Sequence, residues 1–268
     1  MRIALLADIH GNNIALEAVL NDLIAQEPVD HLIILGDLFV FGPEPNEVFD
    51  TLKSLPQARY ILGNTDRYLL ERKYPTQPGS ESWQDSLLAS FQWTTECINP
   101  AAVEFLTRVP LRQVVDVAQW RLVAVHGSPR SDEEGLTPNT TCPELAQMEV
   151  PPDTSMLVAG HTHIPMDRNM CGMRVINCGS IGLPFDGIPR AAYAIVTKQP
   201  NQEPIVDLRR IDYDIEQAVQ QLETRHHPAA KVGAYNLRFA RPMATDLIYT
   251  PKMRQPSRPG PISESRAC

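Results

Sequence analysis

Short apolar runs alternate with amphipathic segments through the first quarter of the chain. Residues 2–7, 32–35 and 60–62 are almost wholly apolar, as is typical of parallel strands that are covered on both faces. Residues 16–23 and 48–55 place leucine and valine at the spacing of one helical face. The order strand, helix, strand, helix, strand predicts a parallel sheet with right-handed crossovers.

The next stretch predicts helices without strands. A polar loop over residues 73–82 precedes two predicted helices, over 83–97 and 100–106. We interpret residues 74–108 as a helical hairpin that covers part of the sheet. The alternative is a lid beside the functional site. That lid would bring three aromatic side chains to a substrate: Trp83, Phe91 and Trp93.

From residue 111 the pattern becomes that of strands. Short turns separate several of them, which favours antiparallel neighbours and a second sheet. A long loop between His126 and Pro152 is rich in Gly, Pro, Ser and acidic residues, and loops of this length are usually functional. A last helix is predicted over 213–224. The predicted strands cover residues 111–115, 121–125, 156–158, 174–177, 191–196 and 205–210.

Charge divides the chain into a body and a tail. The chain has 268 residues, 43% of them hydrophobic, and can bury a sizeable core. We predict one domain over 1–226 and a basic, proline-rich tail over 227–268, because residues 229–268 carry seven Lys or Arg against two Asp or Glu. The last part of this tail is expected to be disordered or loosely docked. It either lies on its own acidic domain or acts as a partner-binding or RNA-binding arm.

The acidic balance narrows the class of partner. A net charge of −8 argues against a protein that coats nucleic acid or anionic membranes. No apolar stretch approaches membrane-spanning length, and the apolar start is too short for a signal peptide. Five cysteines without a CxxC pair suit a reducing cytoplasm better than a disulfide scaffold. We therefore expect a cytoplasmic protein without a membrane partner, and leave a homo-oligomer open.

Five of the apolar runs end on residue types that bind metal ions. Open α/β sheets place their ligands at the carboxyl ends of strands, so these side chains are expected to converge. Two carboxylates, one amide and four imidazoles exceed what one metal ion needs, and they fit two metals that share a carboxylate. The neutral amide limits the negative charge and leaves such metals electrophilic. The seven candidate ligands are Asp8, His10, Asp37, Asn64, His126, His161 and His163.

These strand ends carry a family resemblance. Over residues 1 to about 224 the chain resembles the calcineurin-like metallophosphoesterase superfamily in five ordered blocks. Residues 127–130 and 177–182 further resemble its small bacterial and archaeal branch of YfcE-like phosphodiesterases. The five blocks are Asp8-Ile9-His10-Gly11-Asn12, Gly36-Asp37, Gly63-Asn64-Thr65-Asp66, Val125-His126-Gly127 and Gly160-His161-Thr162-His163.

The resemblance implies an α/β fold, a four-layer αββα sandwich of two mixed sheets. It also implies two divalent metals bridged by Asp37, with a hydroxide between them that attacks phosphorus in line. Manganese is expected first, and mixed nitrogen and oxygen ligands also suit Fe, Co, Ni or Zn. One metal would be held by Asp8, His10, Asp37 and His163, and the other by Asp37, Asn64, His126 and His161.

Departures from the family pattern bear on the substrate. Many relatives place a histidine after the block-three asparagine, where this chain has Thr65, which cannot act as a general acid near neutral pH. This predicts another proton donor or leaving groups that need none, such as aryl esters or phosphoanhydrides. Asp66 has either a catalytic role or a structural one in capping the following helix. Of the candidate phosphate clamps Arg67, Arg130 and Arg190, we favour Arg130 because it follows His126 closely.

The sequence therefore predicts a binuclear metal-dependent phosphodiesterase acting on a small phosphoester or nucleotide, with Asp37, Asn64, Asp66 and Arg130 as its catalytic residues. Alternatives are a dinucleoside polyphosphate hydrolase or a protein phosphatase, although the Asp-Arg pair of Ser/Thr protein phosphatases is absent after Asp37. A non-catalytic scaffold and a nuclease are less favoured. The remaining histidines are expected at the surface: His31, His226 and His227.

Overall fold

Two β-sheets lie face to face in a computed structural model of the chain. It describes residues 1–55, 57–74, 82–117 and 120–243, apart from the side chains of 82–84 and 117. Helices cover the outer faces of the sheets, so the predicted αββα fold class is confirmed.

The described residues form the following elements. The strands are β1 (Arg2–Leu6), β2 (His31–Ile34), β3 (Arg59–Tyr60), β4 (Arg112–Val117), β5 (Trp120–Val125), β6 (Met156–Ala159), β7 (Met166–Met170), β8 (Met173–Asn177), β9 (Ala191–Thr197) and β10 (Ile205–Ile211). The helices are α1 (Asn13–Ile24), α2 (Pro45–Lys53), α3 (Asn64–Glu71), α4 (Ser82–Cys97), α5 (Pro100–Leu106), α6 (Cys142–Gln147), α7 (Ile215–Thr224) and α8 (Ala230–Phe239).

The first sheet has the strand order β10-β9-β1-β2-β3. Strands β1, β2 and β3 are parallel, as predicted, and β9 is antiparallel to both β1 and β10. The expectation that all strands after residue 111 form the second sheet is therefore wrong for β9 and β10. The physical reason is that β9 is buried along nearly its whole length and needs a central position, which the open edge of β1 provides.

The second sheet has the strand order β4-β5-β6-β8-β7. Its central strands β5, β6 and β8 are parallel, and only the edge strands β4 and β7 are antiparallel to their neighbours. The prediction of antiparallel neighbours is thus correct at the edges and wrong in the centre. Parallel pairing matters for function because it brings the carboxyl ends of β5 and β6 to the same sheet edge.

Side-chain alternation divides the core into layers. Along β1, Ala4 and Leu6 pack toward the helices, whereas Ile3 and Leu5 pack between the two sheets. On the far side of the second sheet, residues of β5 and β6 pack against Leu145 of α6. Each central strand is therefore covered on both faces, which holds its carboxyl end in a fixed place.

Helices α4 and α5 both contribute side chains to the core on the helix side of the first sheet. Phe91 of α4 and Ala102 and Leu106 of α5 are buried in the core cluster on the helix side of the first sheet. Phe91 is 1% exposed, and Trp93 lies against His227 with ring centroids 4.7 Å apart. Residues 75–81 and the Trp83 side chain lie outside the described residues, so the lid alternative stays a prediction.

Ordered packing continues beyond the predicted domain boundary. Helix α8, which was not predicted, buries Ala234 and Leu237 against Leu222 of α7. His227, expected at the surface, is 4% exposed because it sits in the turn that folds α8 back onto α7. Residues 244–268 lie outside the described residues, so the basic tail stays a prediction.

Cys142 and Cys171 form a disulfide, contrary to the expectation drawn from cysteine usage. The two residues are 29 positions apart, and only the tertiary fold brings α6 against the turn between β7 and β8. Cys97 and Cys178 are free thiols. Across the described ranges, no helix is long and apolar enough to span a membrane.

Candidate metal centre

Six of the seven predicted ligands follow the carboxyl ends of four strands, and the seventh is the first residue of a helix. Asp8 and His10 follow β1, Asp37 follows β2, and Asn64 opens α3. The other three, His126, His161 and His163, follow β5 and β6. Side chains that are far apart in the sequence therefore come together at the carboxyl ends of the strands, as predicted.

Left-handed backbone at the strand ends aims several of these side chains inward. The φ angles are 54° at Asp8, 50° at His10, 55° at Asp37, 66° at His161 and 58° at His163. This region costs a non-glycine residue about 1–2 kcal/mol. Unfavourable backbone is thus concentrated at one place, which is characteristic of functional sites.

We call the first group of ligands the first subsite. Donor atoms of Asp8, His10, Asp37 and His163 all lie within 4.8 Å of one another. All four residues are buried, with exposures of 0–5%. The group therefore has the number, type and closeness of donors that a transition-metal ion needs.

The ring orientations in the first subsite test whether a cation fits it. His10 Nδ1 donates to the carbonyl of Val40 at 2.9 Å, and His163 Nδ1 donates to the carbonyl of Leu183. Because Nδ1 of each ring donates to a carbonyl, the other nitrogen, Nε2, is the one that faces the neighbouring ring. The two Nε2 atoms are 3.1 Å apart. Two lone pairs at that distance repel unless a cation lies between them.

Asp8 supports the same conclusion. Its Oδ1 atom is buried and accepts no hydrogen bond within the described part of the chain. His163 Nε2 lies 3.5 Å from this oxygen. Buried carboxylate oxygens almost always have a hydrogen-bond partner or a bound ion, so this unpaired oxygen indicates a place for an ion. The residues of the first subsite therefore fit a divalent metal.

The second subsite consists of Asp37, Asn64, His126 and His161. His126 Nε2 and His161 Nδ1 each lie 3.0 Å from Asn64 Oδ1. The opposite ring nitrogens donate to backbone carbonyls, His126 Nδ1 to Leu35 at 2.6 Å and His161 Nε2 to Glu133 at 3.2 Å. Both histidines therefore turn a ring nitrogen toward one amide oxygen, and these three atoms together with Asp37 are donors that a cation could bind.

Asp37 lies between the two subsites. Its Oδ2 atom is 3.6 Å from His10 Nε2, and its Oδ1 atom is 3.5 Å from His126 Nε2. The backbone amide of Thr65 donates to Oδ1 at 2.9 Å and fixes the carboxylate plane. One carboxylate thus faces both subsites with a different oxygen.

Protonation states also suit a cation. Burial raises the pKa of Asp8, but His163, His126 and His10 outweigh it and lower this pKa to about 2. Burial lowers the pKa of His10 to about 4 and that of His161 to about 4. Near neutral pH the carboxylate is therefore ionised and these imidazoles are neutral, which are the forms that bind metal ions.

Two glycines leave room for the carboxylates. A Cβ atom at Gly63 would overlap Asp37 Oδ1 and the Asp37 backbone nitrogen, and one at Gly160 would lie 2.7 Å from Asp8 Oδ2. Each glycine stands directly before a predicted ligand. The glycines of blocks three and five are thus required by close packing.

Asp66 has structural contacts. Its carboxylate accepts from the backbone amides of Asp37 at 2.8 Å, Leu38 at 2.9 Å and Gly63 at 3.1 Å. Burial and the neighbouring Asp37 raise its pKa to about 7. The contacts match the capping alternative, and Asp66 holds the Asp37 turn against the start of α3.

The three candidate phosphate clamps are all engaged in ion pairs. Arg130 contacts Glu134 and donates to the carbonyl of Gln147 at 2.7 Å. Arg67 binds Asp132 through two hydrogen bonds of 2.6 and 3.0 Å, and Arg190 pairs with Asp212 at 2.7 Å. Arg67 thereby connects α3 to the loop after β5. The pairing with Glu134 argues against the predicted substrate-binding role of Arg130, and substitution tests which holds.

Several positioning groups were not found from the sequence. Most are backbone carbonyls, at Leu35, Val40, Leu183 and Glu133, which carry no sequence signal. Asn177 was quoted for its family resemblance, and its side-chain nitrogen donates to Thr162 Oγ1 at 2.9 Å, which braces the turn before His163. Thr65 Oγ1 is buried and, among the described residues, has no hydrogen-bond partner.

The fold and this arrangement of ligands define a metallophosphoesterase. Residues 1–200 match the model of the calcineurin-like phosphoesterase superfamily domain, and the chain belongs to that superfamily. The predicted family is therefore confirmed.

Three relatives illustrate the similarity. A metallophosphoesterase structure from Sphaerobacter thermophilus has a TM-score of 0.70 and 28% identity, covering 89% of this chain and 98% of its own. Phosphodiesterase YfcE of Escherichia coli K12 is 27% identical over 73% of this chain and 87% of its own length. A symmetrical bis(5'-nucleosyl)-tetraphosphatase of Pectobacterium carotovorum is 32% identical over 54% of this chain and 46% of its length.

Proposed function

We propose that the protein is a binuclear metal-dependent phosphodiesterase. The observation that carries this proposal is the pair of Nε2 lone pairs of His10 and His163, 3.1 Å apart in a buried site. One metal would be held by the first subsite and another by the second, with Asp37 shared. Bound divalent metals supply Lewis acidity, which activates water and neutralises charge on the phosphoryl oxygens.

The protein's own residues prepare the site for this chemistry. The carbonyls of Val40, Leu183 and Leu35 fix the protons of three histidines on Nδ1 and leave Nε2 directed inward. Asp66 and Thr65 fix the turn and the orientation of Asp37 through backbone hydrogen bonds. The site is therefore organised before a substrate arrives, which lowers the reorganisation required in the transition state.

The substrate class follows from Thr65. Without an imidazole at this position, the site favours leaving groups that depart unprotonated, such as aryl oxides. A small aryl phosphodiester or nucleotide diester fits this requirement. Phosphoanhydrides meet it too, and similarity to a symmetrical bis(5'-nucleosyl)-tetraphosphatase supports dinucleoside polyphosphates as the second candidate.

Metal dependence tests the proposal directly. Protein freed of metal should hydrolyse bis(p-nitrophenyl) phosphate only after Mn²⁺ is restored, with two ions bound per chain by titration calorimetry. Asp37→Asn should abolish turnover, whereas the exposed Asp50→Asn should retain it. Absence of hydrolysis with Mn, Fe, Co, Ni and Zn would refute the function. Faster hydrolysis of diadenosine tetraphosphate than of any diester would favour the second candidate.

A cytoplasmic location is part of the proposal, supported by the overall cysteine usage. The Cys142–Cys171 disulfide is the observation against it, because thiols in that compartment are kept reduced. Alkylation of intact source cells followed by mass spectrometry decides between them. Free thiols at both positions would support the cytoplasm, and a disulfide would indicate an oxidising compartment.

A further inference from the structure

One buried serine hydroxyl connects two ligands of the first subsite. Ser180 is 0% exposed, and its Oγ atom donates to the backbone carbonyl of Asp8 at 2.7 Å. The same atom accepts from the backbone amide of Leu183 at 2.8 Å. The Leu183 carbonyl in turn accepts from His163 Nδ1. The hydroxyl of Ser180 therefore contacts the backbone of one ligand and the residue that orients the ring of another.

The Asp8 carbonyl has its hydrogen-bond partners outside the ladder of the sheet. Asp8 lies beyond the last residue of β1, and its φ of 54° is left-handed. Its carbonyl accepts from Ser180 Oγ and from the backbone amide of Gly182 at 3.0 Å. A buried carbonyl needs such partners, because an unpaired one costs free energy. The turn over residues 180–183 thereby stabilises the unfavourable backbone that aims the Asp8 carboxylate inward.

The ring of His163 depends on the same turn. Pro184 follows Leu183 and biases its backbone toward an extended conformation, and the hydrogen bond to Ser180 fixes its amide. The Leu183 carbonyl is therefore held in place as the acceptor of His163 Nδ1. With this bond made, His163 Nε2 lies 3.5 Å from Asp8 Oδ1. The separation of these two donor atoms is thus set by contacts that lie outside the subsite.

The turn itself is anchored on both sides. The backbone amide of Ile181 donates to the carbonyl of Ala7 at 3.0 Å, which joins the turn to the end of β1. The Ser180 carbonyl accepts from the backbone amide of Ala192 in β9 at 2.9 Å. Because these contacts do not involve the Ser180 hydroxyl, its removal should leave the turn in place and act mainly on its two hydrogen-bond partners.

The histidines of the second subsite are oriented by other groups. His126 Nδ1 donates to the Leu35 carbonyl, and His161 Nε2 donates to the Glu133 carbonyl. Both acceptors lie outside the turn over residues 180–183. A change at Ser180 should therefore affect a metal held by the first subsite more strongly than a metal held by the second.

We propose that Ser180 is a positioning residue, which sets the separation of the Asp8 carboxylate and His163 Nε2 and thereby the metal affinity of the first subsite. The proposal rests on the metal centre of the proposed function. Without the hydroxyl, the Leu183 amide loses its acceptor, which favours a shift of Leu183 and of the His163 ring. Ser180 acts through these ligands and does not itself bind the metal.

Equilibrium dialysis with Mn²⁺ tests this role without turnover. In Ser180→Ala, the affinity for one of the two ions should fall roughly 10- to 100-fold, as is typical when a group that orients a metal ligand is removed. The affinity for the other ion should change by less than about threefold. Ser180→Cys replaces the hydroxyl by a weaker donor, so its affinity should lie between those of the wild type and Ser180→Ala.

Ser90→Ala is the matched control for these variants. Ser90 lies in α4 and is 1% exposed, and its hydroxyl donates to the carbonyl of Ser86 at 2.8 Å. The substitution therefore removes a buried serine hydroxyl and its hydrogen bond in the same way, but away from the described ligand contacts. Ser90→Ala should keep the wild-type affinity for both ions.

The His163 ring allows a second measurement that needs no metal. By nuclear magnetic resonance on metal-free protein with isotope-labelled histidine, the Nδ1 proton of His163 should exchange slowly with water, because it is bonded to the Leu183 carbonyl. Ser180→Ala should speed up this exchange roughly tenfold. The Nδ1 proton of His10, bonded to the Val40 carbonyl, should stay protected. The variant His163→Gln identifies the resonance.

The outcomes separate this proposal from the function on which it rests. Metal affinity and proton exchange in Ser180→Ala that match Ser90→Ala would overturn the positioning role. An equal loss of affinity for both ions would also overturn it, since the substitution would then act on the whole fold. The wild type is assayed in parallel with bis(p-nitrophenyl) phosphate. Mn²⁺ binding that depends on Ser180 without any hydrolysis refutes the phosphodiesterase function alone, whereas hydrolysis with an unchanged affinity in Ser180→Ala refutes the positioning role alone.

Discussion

Asp66 accepts a hydrogen bond from the backbone amide of Asp37 at 2.8 Å, so one buried carboxylate holds the turn that carries another. Its second oxygen accepts from Leu38 at 2.9 Å. The start of α3 and the end of β2 are thereby fixed relative to each other. This contact places Asn64 opposite Asp37.

Asp66→Asn should lower both stability and activity. The NH2 group of the new amide would face a buried backbone N–H, so two donors would meet without an acceptor. This should lower the free energy of unfolding by about 3 kcal/mol. Loss of such a supporting contact typically lowers activity roughly 10- to 100-fold. Urea unfolding and pH–rate profiles measure both effects. A positioning role leaves the shape of the profile unchanged, whereas disappearance of its high-pH limb would show that Asp66 donates a proton. Asp50→Asn, on the exposed face of α2, serves as control.

Gly63→Ala should displace the Asp37 carboxylate. The added methyl group has no room beside Asp37 Oδ1, while Gly63 itself has an ordinary negative φ of −89°. Mn²⁺ affinity by calorimetry should fall by about 10- to 100-fold. Gly172→Ala is the control, since its Cβ meets nothing within 4 Å. The free energy of unfolding of that control should fall by about 1 kcal/mol, because alanine is strained at a positive φ, and its metal affinity should equal that of the wild type. Equal affinities in both variants would contradict the packing explanation.

Arg67 and Arg130 should respond differently to substitution by alanine. Arg67 binds Asp132 and Glu133, and the Glu133 carbonyl lies 3.2 Å from His161 Nε2. Arg67→Ala should therefore weaken metal binding at the second subsite by roughly tenfold. Arg130→Ala should change kcat and KM less than twofold, because its guanidinium already pairs with Glu134. A KM raised tenfold by Arg130→Ala would instead support the phosphate clamp.

His227 should make stability depend on pH. Burial lowers the pKa of its imidazole from 6.5 to about 4. Since the folded pKa lies below the unfolded one, the unfolded chain binds more protons between these values. The free energy of unfolding is therefore unaffected by His227 above pH 6.5. It decreases as the pH falls toward 4, by about 2 kcal/mol at pH 5.

The variant His227→Phe isolates this effect. It keeps a ring against Trp93 and removes the titrating group. Measured by urea unfolding, the free energy of unfolding should therefore fall more between pH 7 and pH 5 in the wild type than in the variant. His226→Phe changes the neighbouring exposed histidine and should leave the wild-type pH dependence intact. Parallel pH curves for wild type and His227→Phe would contradict the prediction.

Removing the disulfide should lower stability with little effect on activity. The bridge closes a loop between residues 29 positions apart, which is expected to contribute about 3 kcal/mol. It lies between α6 and the turn from β7 to β8, away from the described ligand contacts. Thermal unfolding and kcat of the Cys142→Ser/Cys171→Ser double variant measure both. Cys97→Ser, at an exposed free thiol, should match the wild type, and a large loss of kcat in the double variant would show coupling to the site.

The sequence predicts that the candidate ligands converge because the rules behind their placement are local. An apolar run that ends on Asp8 or Asp37 marks both a covered strand and its carboxyl end, and parallel pairing then gathers such ends. The sequence does not predict which of the two sheets β9 joins, because a strand that is apolar on both faces fits the centre of either sheet. The orientation of the His10 ring depends on the Val40 carbonyl, and the position of Phe41 depends on its backbone φ angle. Both are backbone features, which the pattern of residue types does not predict.

The antiparallel pairing of β1 with β9 delays assembly of the site during synthesis. Asp8 and His10 leave the ribosome long before the strand that pairs with the open edge of β1, which begins at Ala191. Until it emerges, that edge of β1 exposes unpaired backbone groups. A nascent chain therefore contains Asp8 and His10, two of the candidate metal ligands, well before β9 can hold β1 in place.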